Sequence, residues 1–290
     1  MATTPYSEWH RGGSPATLSA AVFAGELVLI RGEPTVARIV EHVRGRLQAF
    51  FGSGDPQAAE ARMEPEVYRR TVTKARRLMA EDDTLADLWA ACLSALGYEA
   101  ADMFQDRLRL RIVPSAAASQ TRFIRPLPVH RDSWGARIHA QINWWLPVFP
   151  LAASRTMVLW PDRFRTPVAN TSSDWDYDAL VEKRVANYPL LPEALSDPPG
   201  DPVPILIEPG TLLAFSAAHL HGSASDASGL ARFSLDTRTV WADDLRAGRG
   251  APNVDCARKP PLWRLFTPSP DDALSDLAHS LDNPAIGGSK

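Results

Sequence analysis

Four of the seven histidines fall between residues 130 and 221: His130, His139, His219 and His221. The first stands in His130-Arg131-Asp132, an imidazole and a carboxylate two residues apart. In extended backbone, residues i and i+2 point to the same side, so both groups can converge on one cation. A third ligand from a distant strand would complete a face of two histidines and one carboxylate, leaving three positions of an octahedral metal open. Taken alone, the triplet also fits a turn with a capping Asp. The second half of the pattern is His221-Gly222-Ser223. His219 and His221 share parity, so alternation leaves both open as the third ligand. The Gly-Ser that follows and the step from 221 to Arg232 favour His221, leaving His219 as a neighbouring, substrate-side or core group.

Arg232-Phe233-Ser234 lies in the strand-like run LARFSLDTR, with Arg232 and Ser234 on one face. A buried Arg beside a hydroxyl can take a carboxylate in a bidentate grip plus one further hydrogen bond. Without an anion, such an Arg would be costly. Asp236 and Arg238 continue the same face, as an ion pair or against a charged substrate. Along 138–146, Ile138, Ile142, Trp144 and Leu146 have one parity, and His139, Gln141, Asn143 and Trp145 the other. If the apolar face packs on helices, Gln141 and Asn143 point inward, where a cosubstrate, a substrate, backbone or ordered water must satisfy their amides. Of nine Trp, five fall between 134 and 175. Trp144 reads as core, and Trp134 and Trp145 as walls of a pocket that keeps water out. Arg69, Arg70, Lys74, Arg76 and Arg77 form a basic cluster on one predicted helix. It reads as a solvated face, or as a receiver of an anionic substrate handle or an acidic carrier.

The elements that must position these groups divide in two. The first third is helical by periodicity, over about 35–51, 65–80 and 83–96, after a short strand at 26–31. Asp83 is the expected N-cap of the third helix and Gly97 its stop. Strands are expected at 104–113, 136–148, 156–160, 203–208, 211–216 and 230–241, separated by Pro and Gly turns. Residues 161–202 form a polar, Pro-rich insertion with one helical patch near 176–187, and the tail after 245 is rich in Pro, Ser and Gly. Helices first and short strands later give an α+β class.

Composition narrows the partners. Thirty-one Lys and Arg against 34 Asp and Glu leave a net charge of −3 in 290 residues, too balanced for a protein built to grip phosphate backbones, so no nucleic acid is expected. No run approaches the length of a membrane span and the first residues carry no apolar signal region, so no membrane partner is expected either. Cys92 and Cys256 form neither a disulfide framework nor a C-x-x-C pair. These features suggest a reduced, cytoplasmic setting and a small-molecule substrate.

His130-x-Asp132, His221-Gly222-Ser223 and Arg232-x-Ser234 together resemble the signature of Fe(II)/2-oxoglutarate-dependent dioxygenases, and are most similar to the phytanoyl-CoA dioxygenase branch. The resemblance covers roughly residues 104–241. Trp160-Pro161-Asp162 stands where that branch reads Pro-Gly-Ser-His, and the Asn usual between the distal His and the Arg is missing. The resemblance implies a double-stranded β-helix, a jelly-roll or cupin-like barrel, with the N-terminal helices on its larger sheet. It implies one catalytic domain over 1–290, with a helical part to 103, a core over 104–245 and a tail over 246–290. It implies Fe(II) on His130, Asp132 and His221. The distal carboxylate of 2-oxoglutarate would lie on Arg232, with Ser223 and Ser234 helping and Gln141 and Asn143 nearby. Trp134, Trp145, His219 and Arg238 would line the substrate side. The implied reaction consumes O2 and 2-oxoglutarate, releases succinate and CO2, and hydroxylates an unactivated C–H of a small metabolite or natural-product intermediate. Halogenases of this family have Ala or Gly at the position of Asp132, so its presence argues against halogenation. The alternatives are a Zn-dependent hydrolase or lyase on the same ligands, and a non-catalytic metal-binding barrel.

Overall fold

The computed structural model describes residues 6–9, 12–182, 188–224, 226, 228–259 and 261–268. Strand β1 (Tyr6–Trp9) and helix α1 (Pro15–Ala24) precede strand β2 (Leu27–Ile30). Helix α2 (Pro34–Phe51) follows, with Pro in its first turn and the Glu33 carboxylate accepting from the Thr35 N–H. Its buried face is Val36, Ile39, Val40, Val43, Leu47 and Phe51, each contributing roughly 1.5–3 kcal/mol by leaving water. After the short α3 (Ala59–Arg62), α4 (Pro65–Ala80) buries Tyr68, Val72, Ala75 and Met79. Helix α5 (Asp83–Ala95) is capped by Asp82, whose carboxylate accepts from the Leu85 N–H, one residue earlier than the expected Asp83. Sequence periodicity missed α1 because PATLSAAVFA is small and apolar on every side.

The remaining strands are β3 (Met103–Gln105), β4 (Arg109–Val113), β5 (Gln141–Pro147), β6 (Met157–Leu159), β7 (Val203–Pro204), β8 (Leu212–Ser216), β9 (His221–Ser223), β10 (Arg232–Trp241) and β11 (Thr267–Pro268). Three further short α-helices lie among the described residues: α6 (Asp132–Ala136), α7 (Tyr177–Val181) and α8 (Ala242–Arg246). Eight strands make one large sheet in the order β1-β2-β8-β5-β10-β3-β11, with β4 also on β10. All its pairs are antiparallel except β1 with β2. Three strands make a second sheet, β7-β6-β9. Among the described residues the strands form two separate sheets and no closed barrel. The strand expected over 104–113 is broken at Asp106, whose N–H donates to the Arg238 carbonyl while β10 continues past it to both β3 and β4. The strand expected over 136–148 begins only at Gln141, because the chain first turns through α6.

Two apolar layers hold the sheets. On one side of the large sheet, Trp144 and Leu146 of β5 and Phe233 and Leu235 of β10 meet α2, α4 and α5. Trp144 packs edge-on against Trp89 at 5.7 Å and Tyr98 at 6.2 Å, and its indole N–H donates to Thr239. On the other side, Leu27, Leu29, Trp145, Leu213 and Phe215 meet Met157 and Leu159 of the small sheet. The polar face of β10 therefore lies in the layer between the two sheets. No helix among the described residues is long and apolar enough to cross a membrane.

Candidate metal centre

His130 and His221 are brought together by backbone. The His130 N–H donates to the His221 carbonyl at 2.8 Å and the reverse bond closes at 2.9 Å, an isolated bridge that extends β9. The rings lie 4.1 Å apart between centroids. Each Nδ1 sits 2.9 Å from a carbonyl oxygen, that of Pro128 for His130 and of His219 for His221. A carbonyl only accepts, so each Nδ1 carries the proton and each Nε2 presents a lone pair. Both Nε2 atoms face Asp132, at 3.9 Å from Oδ1 and 3.8 Å from Oδ2. One donor atom from each of the three residues lies within 4.8 Å of the others, a group that can hold a metal ion. The carboxylate does not arrive by strand alternation, as the H-x-D spacing suggested. Asp132 opens α6, so a strand-to-helix turn swings it beside the imidazole two residues earlier.

The electrostatics suit a cation. Burial, then the neighbouring His221, pushes the His130 imidazole down to about 3, and burial also lowers His221, so both rings are neutral near pH 7. Burial opposes the charge on Asp132. Arg238 above all, with the Asn143 amide, outweighs it, and the carboxyl stays below its usual range. The Asn143 Nδ2 donates to Asp132 Oδ2 at 2.6 Å, and Gln141 Nε2 donates to Asn143 Oδ1 at 2.7 Å. These two amides, expected at a cosubstrate, form a relay that holds Asp132. The Gln141 Oε1 is left without a partner.

The three groups open onto a cavity of about 450 Å³ between the sheets. Arg232 reaches it from β10, and Ser234 follows two residues on along the same strand face. Arg232 is buried with its Nε unpartnered, and the Ser234 hydroxyl is fully buried without a partner. Burial, with Arg111 adding repulsion, pushes the Arg232 guanidinium down to about 9. Two orphaned buried groups on one strand face are the pattern left when an anion is expected between them. Ser223 lines the cavity, and its hydroxyl accepts from the Leu127 N–H at 3.0 Å, leaving its proton to donate. Trp145 and Arg238 also line the cavity. Arg238 pairs with Asp106 at 3.2 Å, and Asp236 is taken by Arg111.

Two expected pocket residues lie elsewhere. Trp134 is fully buried behind the turn, its indole N–H donating to Asp255 at 2.6 Å. His219 is buried with Nε2 on the Gly25 carbonyl at 3.1 Å and Nδ1 accepting from the Ser216 N–H at 3.1 Å. It ties α1 to β8 and contributes nothing to the cavity wall. Sequence reading missed Arg111 and Asp255. The alternating run Arg107-Leu-Arg-Leu-Arg111 was a usable signal for the first. Asp255, in an irregular segment far along the chain, carried none.

No family model matches the chain, the phytanoyl-CoA dioxygenase branch included, and no curated protein matches it by sequence. Solved structures do. The epimerase SnoN, in complex with Fe3+, alpha ketoglutarate and nogalamycin RO, is 16% identical over 79% of this chain and 85% of its own, with a TM-score of 0.45. The non-heme monooxygenase ThoJ, as its Ni complex, is 14% identical over 84% and 87%, TM-score 0.39. EvdO2 from Micromonospora carbonacea var. aurantiaca, complexed with 2-oxoglutarate, is 13% identical over 57% and 62%, TM-score 0.37. The chain spans 60% of a second EvdO2 structure and 30% of EvdMO1.

Proposed function

We propose that the protein is an Fe(II)- and 2-oxoglutarate-dependent oxygenase acting on a small molecule, with one catalytic domain whose two facing sheets form an open double-stranded β-helix. The observation that carries this reading is the pairing of two features in one cavity: a neutral His130/Asp132/His221 face, and an unpartnered buried Arg232 beside Ser234. Mixed imidazole and carboxylate donors suit iron among the first-row metals, and three ligands leave room for others. Iron, when bound with 2-oxoglutarate and O2, supplies the oxidising power to hydroxylate an unactivated C–H with release of succinate and CO2.

The chain's own groups do the rest. His130, Asp132 and His221 would hold the metal, and the Nδ1–H donations of the two imidazoles to backbone carbonyls fix their ligating nitrogens. Arg232 would receive the distal carboxylate of 2-oxoglutarate, with the unpartnered Ser234 hydroxyl beside it on the same strand face. Trp145, Phe215 and Met157 wall the cavity with apolar surface that excludes water from the reacting centre. Hydrolase chemistry would leave Arg232 and Ser234 without an anion to bind. The test is succinate release from 2-oxoglutarate by the purified chain with Fe(II), across a panel of small-molecule substrates. The expected result is substrate-stimulated release that His130→Ala and Asp132→Ala abolish. Release unchanged in both variants contradicts the assignment.

A further inference from the structure

The cavity wall carries more positive charge than this chemistry uses. Among the described lining residues there are two carboxylates, Asp132 and Asp236. Asp236 is occupied by Arg111 in a two-point pair at 2.9 and 3.1 Å. Behind the wall, Asp106 is shared between Arg109 at 2.8 Å and Arg238 at 3.2 Å, and Asp255 takes Arg131 at 3.1 Å. Besides Arg232, two lining arginines, Arg76 and Arg125, have no ion-pair partner among the described residues. Arg76 spends Nε and one terminal nitrogen on the carbonyls of Leu110 and Phe123, at 3.3 and 2.8 Å. Those bonds hold its guanidinium against the loop that carries Arg125. The Nε of Arg125 is buried with no hydrogen-bond partner. Burial, then repulsion from Arg111, works against the charge on Arg76.

If the oxygenase reading holds, the metal centre is already balanced: Fe(II) and Arg232 together cancel Asp132 and the two carboxylates of 2-oxoglutarate. The surplus at Arg76, Arg125 and the half-matched Arg109/Arg238 pair then faces the rest of the cavity. A desolvated guanidinium without a counter-charge is costly, and an anion in the cavity removes that cost. The mouth supplies the complementary surface. Phe123 and Val181 line it while 57% and 55% exposed, beside Trp175 and Tyr177.

The geometry points to a substrate that carries an anionic group on an apolar body, its anion received by Arg76 and Arg125 and its body by the Phe123, Trp175 and Val181 side. This rests on the oxygenase reading and names the substrate class that reading lacks. It also gives the basic cluster on α4 a division of labour, in which Arg76 turns to the cavity while Arg69 pairs with Glu66 and Arg77 with Glu81 outside.

The test compares two fluorescent probes that differ by one sulfonate: 1-anilinonaphthalene-8-sulfonate and N-phenyl-1-naphthylamine. Each is titrated anaerobically into the full-length protein holding Fe(II) and saturating 2-oxoglutarate, which keeps the sulfonate from Arg232. The sulfonate probe is expected to bind the parent protein and to lose about tenfold or more in affinity in Arg76→Gln/Arg125→Gln. The double Lys variant should recover most of that loss, and the neutral probe should bind all three proteins alike. Equal sulfonate binding by the parent and the Gln variant, no sulfonate binding at all, or an equal loss for the neutral probe overturns the inference. 2-Oxoglutarate affinity is measured on the same samples. Its absence from the parent protein would count against the oxygenase reading, separately from any probe result.

Discussion

Asp132 receives the Asn143 amide, and Asn143 in turn receives Gln141, so the orientation of one candidate ligand depends on two residues of β5. Removing a group that orients a metal ligand typically costs ~10–100-fold in metal affinity. Asn143→Ala should therefore weaken Fe(II) binding by that order in a metal titration while the unfolding midpoint of the metal-free protein stays near that of the parent. Unchanged metal affinity would mean that Asp132 needs no help. The residue types and spacings already held the pattern of His130, Asp132, His221, Arg232 and Ser234, because each chemistry demands a particular side chain. Parity also turned Gln141 and Asn143 to the inner face. It could not name their partner, since Asp132 reaches them from a helical turn that alternation does not describe. Trp134 and His219 were misplaced for a related reason. Their partners, Asp255 and Gly25, are distant in sequence and bear no spacing relation to them.

Between the two candidate ligands of the H-x-D turn stands Arg131, 1% exposed, and it ties three elements together. Its guanidinium donates to Asp255, to the Ala218 carbonyl before β9, and to the Arg163 and Thr166 carbonyls at the start of the 161–202 insertion. Asp255 also accepts from the Trp134 indole and from the Val168 N–H at 3.0 Å. The C-terminal segment and the insertion thus clamp the metal turn from behind. Asp255→Asn leaves a buried guanidinium without its counter-charge, a change that costs about 3–5 kcal/mol. Urea unfolding should show that loss, and metal affinity should fall with it. A midpoint unchanged from the parent would mean that the clamp carries no stability. Periodicity located α2, α4 and α5 well because their apolar faces repeat over three turns or more. The pieces that aim the site, α6 and the bridge at His130, are too short to carry any periodicity.

At the scale of the whole molecule, helices back one face of the large sheet, and the reactive groups occupy the layer between that sheet and the small one. A mixed class with the long helices ahead of most of the strands was readable from sequence. The break at Asp106 and the separation into two sheets depend on tertiary pairing and were not. Burial first of all lowers His130, His139, His219 and His221 alike. A histidine lowered in the folded state binds its proton more readily when unfolded, so stability is full at neutral pH and declines as pH falls below about 6.5. Each such group contributes a slope of up to about 1.4 kcal/mol per pH unit within its window. His139 is the cleanest to remove, since both its ring nitrogens are buried without partners and it lies outside the metal cluster. His139→Phe should flatten the acid limb of a urea-midpoint against pH profile, and an unaltered limb would contradict the assignment. The central claim, a metal face and an Arg-held cosubstrate in one cavity, meets its most direct test without substrate or turnover. Fe(II) and 2-oxoglutarate are added to the full-length protein under anaerobic conditions and the visible charge-transfer absorbance is recorded. A band should appear only with both present, vanish in Asp132→Ala, and need roughly ten times or more 2-oxoglutarate in Arg232→Gln. No band in the parent protein, with 2-oxoglutarate failing to bind, would contradict it.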